Sequence, residues 1–240
     1  MNFLKINTLF LLLFCLSVSC CKKENPIVIV PEVPVIIAKD TLKYLALGDS
    51  YTIGQSVLET DRFPVQLKNA LQKEGILINL PRIIAKTGWR TDNLSAAMDA
   101  AQLDNNWDMV TLLIGVNNQY QGQDVSKYEQ PFKTLLERAI TLAKGKKSRV
   151  FVISIPDYAF TTFGKNSGKE KQISADIDSY NAVNQQVAKE MGVTYFNITP
   201  ISREGLKDPD LVASDGLHPS GKMYTRWVDL MLGEIKKQLK

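Results

Sequence analysis

Short apolar runs alternate with longer segments of helical period through most of the chain. Residues 43–47 (Lys-Tyr-Leu-Ala-Leu), 83–85 (Ile-Ile-Ala), 109–114 (Met-Val-Thr-Leu-Leu-Ile), 150–155 and 193–198 read as strands. Gly48, Gly115 and Pro156 close three of them. Residues 63–74, 91–103, 126–143, 174–191 and 220–239 carry apolar residues at helical spacing, and Gly75 and Gly192 stop two of these helices. Five strands alternating with helices predict an α/β fold, a parallel sheet covered by helices on both faces. In such sheets reactive groups gather beyond the carboxyl ends of the strands. The residues just after each strand are therefore where chemistry is to be sought.

The 240 residues suit one compact domain. The formal net charge is +4, from 29 Lys and Arg against 25 Asp and Glu. That charge is small and scattered, which argues against a nucleic-acid partner. The chain has one histidine, His218, and three cysteines, Cys15, Cys20 and Cys21. A zinc site built on several His or Cys ligands is thereby disfavoured, and no metal is expected. All the cysteines precede residue 22, so no disulfide can staple the body of the fold.

The first residues read as an address. Lys5 supplies a charged start, residues 9–16 form a short apolar core, and Ser17, Val18 and Ser19 precede Cys20 and Cys21. The apolar run falls short of the roughly 20 residues of a membrane span and fits a secretory signal. A cysteine after small residues resembles a bacterial lipoprotein signal, which implies lipidation of Cys20 or, alternatively, Cys21. An ordinary cleaved signal with incidental cysteines is the plainer reading. The division expected is a signal peptide over 1–19, a lipidated start and tether over 20–40, and one folded domain over 41–240. Pro26, Pro31 and Pro34 stiffen the tether. The apolar residues between them leave open whether it stands free or packs on the domain. The expected location is the bacterial cell envelope, outside the cytoplasm, with a lipid anchor in the membrane.

The turns after the strands supply a distinctive set. After the first strand comes Gly48-Asp49-Ser50-Tyr51, and after the second Lys86-Thr87-Gly88-Trp89. After the third comes Gly115-Val116-Asn117-Asn118, and beyond the fifth Asp215-Gly216-Leu217-His218-Pro219. Together these resemble the SGNH (GDSL-type) hydrolases, serine esterases and lipases named for a serine, a glycine, an asparagine and a histidine in four blocks. The matching residues are Ser50, Gly88, Asn117 and His218, with Asp215 in the Asp-x-x-His block, and the resemblance covers roughly residues 43–239. It implies a three-layer α/β/α sandwich around a five-stranded parallel sheet, flavodoxin-like in outline. Two positions depart from the pattern. Tyr51 stands where leucine is frequent, and Asn118 where aspartate is common, so any role of that aspartate does not carry over.

A serine hydroxyl needs a neighbouring base to become a nucleophile. His218 is that base by elimination, since imidazole titrates near neutral pH. Asp215 lies close enough in sequence to orient the ring and stabilise its charged form. Gly216 eases the bend and Pro219 restricts the backbone of His218. The order Ser…Asp…His is one of several that can build a triad. The resemblance also assigns an oxyanion hole: the backbone N–H groups of Ser50 and Gly88 and the side-chain amide of Asn117. Singly, each residue has a plainer use: Ser50 as a helix cap, Gly88 as a turn glycine, Asn117 as a turn cap, His218 as a structural residue.

The expected function is hydrolysis of carboxylic esters through an acyl-enzyme on Ser50, without metal or organic cofactor. Short acyl groups such as acetyl on carbohydrate or cell-envelope glycan are favoured, because the loop 156–172 holds Gly164, Asn166, Ser167, Gly168 and several lysines and is no plainly greasy lid. The alternatives are a lipase, lysophospholipase or thioesterase for longer chains, or a surface binding protein that kept only the fold. Partners expected are an ester small molecule or acylated glycan, and the membrane through the anchor; the sequence sets no oligomeric state. Trp89 reads as pocket wall or core. Tyr158, Phe160 and Phe163 sit where they could shape the acyl or alcohol side. Met223, Trp227, Leu230, Met231 and Ile235 read as a core stripe, and Asp49 is left outside the triad.

Overall fold

The computed structural model describes residues 41–240; the signal, the cysteines and the tether expected over 1–40 lie outside the described residues. Five strands form one parallel sheet: β1 (Tyr44–Gly48), β2 (Arg82–Ala85), β3 (Met109–Leu113), β4 (Val150–Ile153) and β5 (Thr194–Phe196). Their spatial order is β2-β1-β3-β4-β5. The three inner strands are buried along their whole length. Strands covered on both faces need apolar residues at nearly every position, which is why β3 is readable as a hydrophobic run interrupted only by Thr111. The edge strands β2 and β5 are only partly buried.

Among the described residues nine α-helices accompany the sheet: α1 (Ser50–Ile53), α2 (Phe63–Lys73), α3 (Thr91–Ala100), α4 (Val116–Tyr120), α5 (Glu129–Leu142), α6 (Thr162–Asn166), α7 (Glu170–Met191), α8 (Thr199–Ser202) and α9 (Gly221–Leu239). The chain steps one way from β1 to β2 and the other way from β2 onwards. Right-handed crossovers then put α2 on one face and α3, α5 and α7 on the other. The packing agrees: α2 lies against α9, while α3 packs on α5 and α5 on α7. Among the described residues no helix is long and apolar enough to cross a membrane.

The expected elements are all present, with shifted ends. The helix expected from 126 starts at Glu129, and the one expected from 174 starts at Glu170. The short helices α1, α4, α6 and α8 were not foreseen, since four or five residues carry no readable period. The stripe on α9 is buried at Met223, Trp227, Met231 and Ile235, but Leu230 is exposed, so it does not belong to the core.

Strands β1 and β3 run in register, with Gly48 opposite Leu113. Both give way at once to tight turns. Gly115 has φ +127°, and a Cβ there would lie 2.4 Å from the Tyr128 hydroxyl, which donates to Ile114 O at 2.9 Å. Gly115→Ala should therefore combine backbone strain with overpacking and cost about 2–4 kcal/mol. Urea denaturation reads this loss, and an unchanged midpoint would contradict the account.

Candidate active site

Four chain segments converge at the carboxyl ends of β1, β2 and β3. The first is the turn into α1. Asp49 caps that helix by accepting the Tyr51 N–H at 3.0 Å, and Ser50 is the first helical residue. The plainer reading of Ser50 as the cap is thus not what the fold adopts. Ser50 is 4% exposed.

The second segment is the loop after β2. Gly88 has φ +84°, and a Cβ there would meet no atom within 4 Å. The left-handed backbone, not crowding, explains the glycine. The loop is held to the next segment by adjacent asparagines on α4. Asn117 Nδ2 donates to Trp89 O at 3.0 Å. Asn118 Oδ1 accepts the Thr91 N–H at 3.2 Å, and its Nδ2 donates to Thr91 Oγ1 at 2.9 Å and to Gln123 Oε1 at 2.5 Å. A carboxylate could accept but not donate, so the amide at 118 has its own use as a clamp between α4 and the start of α3. Thr91 is the first residue of α3, and Asn93 Oδ1 accepts the Arg90 N–H at 3.0 Å.

The fourth segment precedes α9. A bridge between Val212 and Pro219, with Ala213 N–H donating to His218 O at 2.7 Å, folds 213–218 into a compact loop. Gly216 turns it with φ +71°. Asp215 Oδ1 accepts the N–H groups of Leu217 and His218, both at 2.9 Å. Its Oδ2 meets His218 Nδ1 at 2.6 Å and accepts Ser56 Oγ–H at 2.5 Å. Burial pushes the Asp215 carboxyl up, but the Ser56 hydroxyl, His218 and the Leu217 N–H outweigh it and hold the pKa down at about 2. An ionised carboxylate on Nδ1 puts the proton on that nitrogen and leaves Nε2 as an acceptor. The Tyr51 and His218 rings meet in a T-shaped contact, centroids 5.8 Å apart.

These segments enclose a cavity of about 230 Å³. Ser50, Gly88, Asn117 and His218 all line it, while Asp215 stands behind His218. Every residue singled out for chemistry in the domain thus comes to one place; Cys20 and Cys21 lie outside the described residues. Tyr120, Tyr158 and Phe163 form an aromatic wall, with ring centroids 6.1–6.4 Å apart. Phe163 N–H donates to Gly216 O at 2.9 Å, tying that wall to the loop of His218. Buried Asp157 caps the turn before it and receives Ser174 at 2.7 Å and Arg203 at 2.9 Å. Trp89 packs on the core and Phe160 lies under Arg203, so neither lines the cavity. Ser56 and Tyr120 were not foreseen. Ser56 is 159 residues from Asp215 and gave no signal. Tyr120 lies three residues after Asn117, one helical turn that α4 alone reveals.

Among the described residues, no group of three or more His, Cys, Asp or Glu side chains is placed to hold a metal ion.

A model described as the GDSL-like Lipase/Acylhydrolase family matches residues 46–226. Several solved structures share the fold. A lipase/acylhydrolase from Enterococcus faecalis is 19% identical, with a TM-score of 0.65, over 83% of this chain and 98% of that one. An acetylxylan esterase from Geobacillus stearothermophilus is 21% identical, with a TM-score of 0.62, over 81% and 94%. The esterase EstA from Pseudoalteromonas sp. is 17% identical, with a TM-score of 0.58, over 81% and 97%. At these identities the likeness is one of fold. The comparison with curated proteins found no match.

Asp49 generates a prediction of its own. It is fully buried, and its Oδ2 has no hydrogen-bond partner among the described residues. Burial pushes its carboxyl from the ordinary 3.8 up to about 7, against the Tyr51 N–H that pulls it down. The folded state then holds this proton more tightly than the unfolded chain does. Its contribution to stability is complete below the unfolded value and is lost as pH rises through the folded one. Asp49→Asn keeps the cap acceptor and removes the titration. The variant should match the parent in denaturation midpoint at acid pH and exceed it at mildly alkaline pH; a constant difference would refute this.

Proposed function

Because the chain belongs to the GDSL-like lipase/acylhydrolase family of ester-hydrolysing serine hydrolases, we propose that Ser50 is its nucleophile, His218 its general base and Asp215 the carboxylate that orients the base. The observation that carries this reading is the 2.6 Å contact between Asp215 and His218 Nδ1, with His218 and Ser50 on the wall of one cavity. Ser50 Oγ attacks the ester carbonyl while His218 Nε2 takes its proton. The imidazolium, held by Asp215, returns that proton to the departing alkoxide, and water releases the acyl group by the same route.

The negative charge that forms on the carbonyl oxygen needs fixed donors. Ser50 N–H is left free by the helix it begins. Gly88 N–H belongs to the open loop beside it. Asn117 spends one amide hydrogen on Trp89 O and keeps the second. That bond leaves the donor oriented before substrate arrives, which is what gives such a group its effect.

The favoured substrate is a short acyl ester, such as acetyl, on carbohydrate or cell-envelope glycan. The cavity is small, and the wall of Tyr120, Tyr158 and Phe163 is joined to the His218 loop. His218 protonates the leaving oxygen, so residues on its loop flank the alcohol. Aromatic faces there suit a ring with apolar C–H surface better than a flexible chain. The fold is shared with an acetylxylan esterase, which agrees with this choice. Ser50→Ala or His218→Ala should remove nearly all hydrolysis of aryl acetate while the melting profile stays cooperative. The parent should prefer acetyl to octanoyl and longer esters and should label with a fluorophosphonate. An optimum at long chains would point to a lipase or thioesterase, and absence of labelling in folded protein to a binding protein.

The location proposed is the cell envelope, with the domain held to a membrane by lipid on Cys20. The support is the sequence of a charged start, a short apolar run and small residues before that cysteine. Mass spectrometry of protein extracted from bacterial membranes should show a mature N-terminus at lipidated Cys20. A lipidated Cys21 or an unmodified N-terminus would replace this assignment.

A further inference from the structure

Asp215 has a partner from the nucleophile's own segment. The chain leaves α1 through Gly54, with φ +71°, and Gln55 N–H returns to Ser50 O at 3.0 Å. Ser56 follows with φ +67°, a left-handed conformation that residues other than glycine seldom adopt. In this conformation its Oγ–H reaches Asp215 Oδ2 at 2.5 Å, the same oxygen that meets His218 Nδ1. Oδ1 is already occupied by the two backbone N–H groups of the loop. Among the described residues these are the four donors to the carboxylate, and Ser56 is the one that comes from outside its loop.

We infer that Ser56 is a positioning residue, which ties the nucleophile helix to the Asp–His loop and divides the charge of Asp215 Oδ2 between its own hydroxyl and the His218 ring. The inference rests on the roles proposed for Ser50, Asp215 and His218. It follows from the capacity of one oxygen. A donor that stabilises the carboxylate lowers the negative charge left to face an imidazolium. The bond also adds to Oδ2 a hold from outside the loop, beside the ring it faces. Removing the hydroxyl therefore does two things. It leaves Oδ2 held by the His218 ring alone and unties the nucleophile's segment from the Asp–His loop, which lowers kcat. It also leaves more charge facing the ring, which raises the affinity of His218 for its proton.

Other titratable groups near this pair are Tyr51 on α1, Tyr158 in the turn after β4, Tyr224 on α9 and Asp49 at the end of β1. The three tyrosines are pushed up by burial and stay neutral across the working range. Asp49 titrates within that range, but it is present in parent and variant alike.

Ser56→Ala and Ser56→Gly test the inference together. Glycine accepts the left-handed backbone without strain, so the second variant keeps the turn even if the first disturbs it. Both should lower kcat on aryl acetate roughly five- to tenfold with little change in KM. Both should also move the acid limb of the kcat/KM profile to higher pH by several tenths of a unit. Full activity in the glycine variant with loss in the alanine variant would reduce the role to backbone shape and overturn the inference. An acid limb unchanged in both variants would overturn it as well. Activity surviving in Ser50→Ala marks failure of the triad itself, whereas inactive Ser50→Ala beside fully active Ser56→Gly marks failure of Ser56 alone.

Discussion

The registered pair β1 and β3 is the constraint on which the site depends. Gly48 sits opposite Leu113, so the two strands end level at the centre of the sheet. The sheet order reverses direction between them, and the helices that follow diverge to opposite faces. A cleft opens where they part, with Ser50 on one lip and Asn117 on the other. Tight exits are needed on both lips. A Cβ on Gly48 would lie 2.4 Å from Leu113 O, and one on Gly115 would strike Tyr128. Small residues at these two points let α1 and α4 begin at once, before the chain can turn away from the cleft.

Two aspartates show how surroundings divide the work of one side-chain type. Asp49 and Asp215 both accept backbone N–H groups in turns next to the cavity. Asp49 is sealed beyond the carboxyl end of β1 with one oxygen unpartnered among the described residues, and burial makes its charged form unfavourable. Asp215 is nearer the surface and receives two side-chain donors and two backbone donors, which keep it ionised. Only the second can stabilise a cation on the histidine beside it. The number of donors outweighs the cost of partial burial there, and at Asp49 it does not.

The legible parts of the site were those where chemistry and chain position coincide. Ser50, Gly88 and Asn117 follow strands directly, and strands announce themselves by apolar runs. His218 was conspicuous because no other histidine competes with it, and Asp215 because it lies three residues away. What stayed hidden depended on distant contacts. Asn118 carried no sign that it would clamp Thr91, nor Tyr120 that it would close an aromatic wall with Phe163. Ser56 was invisible for the same reason. A serine in a polar loop has no distinguishing pattern, and its partner arrives from the other end of the domain.

The sequence by itself determined the α/β class, the strand count, the order of the four blocks and the residue types available for chemistry. These are local properties: period, turn residues and composition act over a few positions. Tertiary structure alone decided which oxygen of Asp215 faces the ring, which amide hydrogen of Asn117 is spent on Trp89, and that Ser56 reaches the same carboxylate. It also decided that Leu230 faces solvent while its neighbours along α9 are buried. Such outcomes follow from crossover handedness and strand register, which set distances between segments far apart in the chain. No local pattern encodes those distances, because each is the sum of many packed contacts.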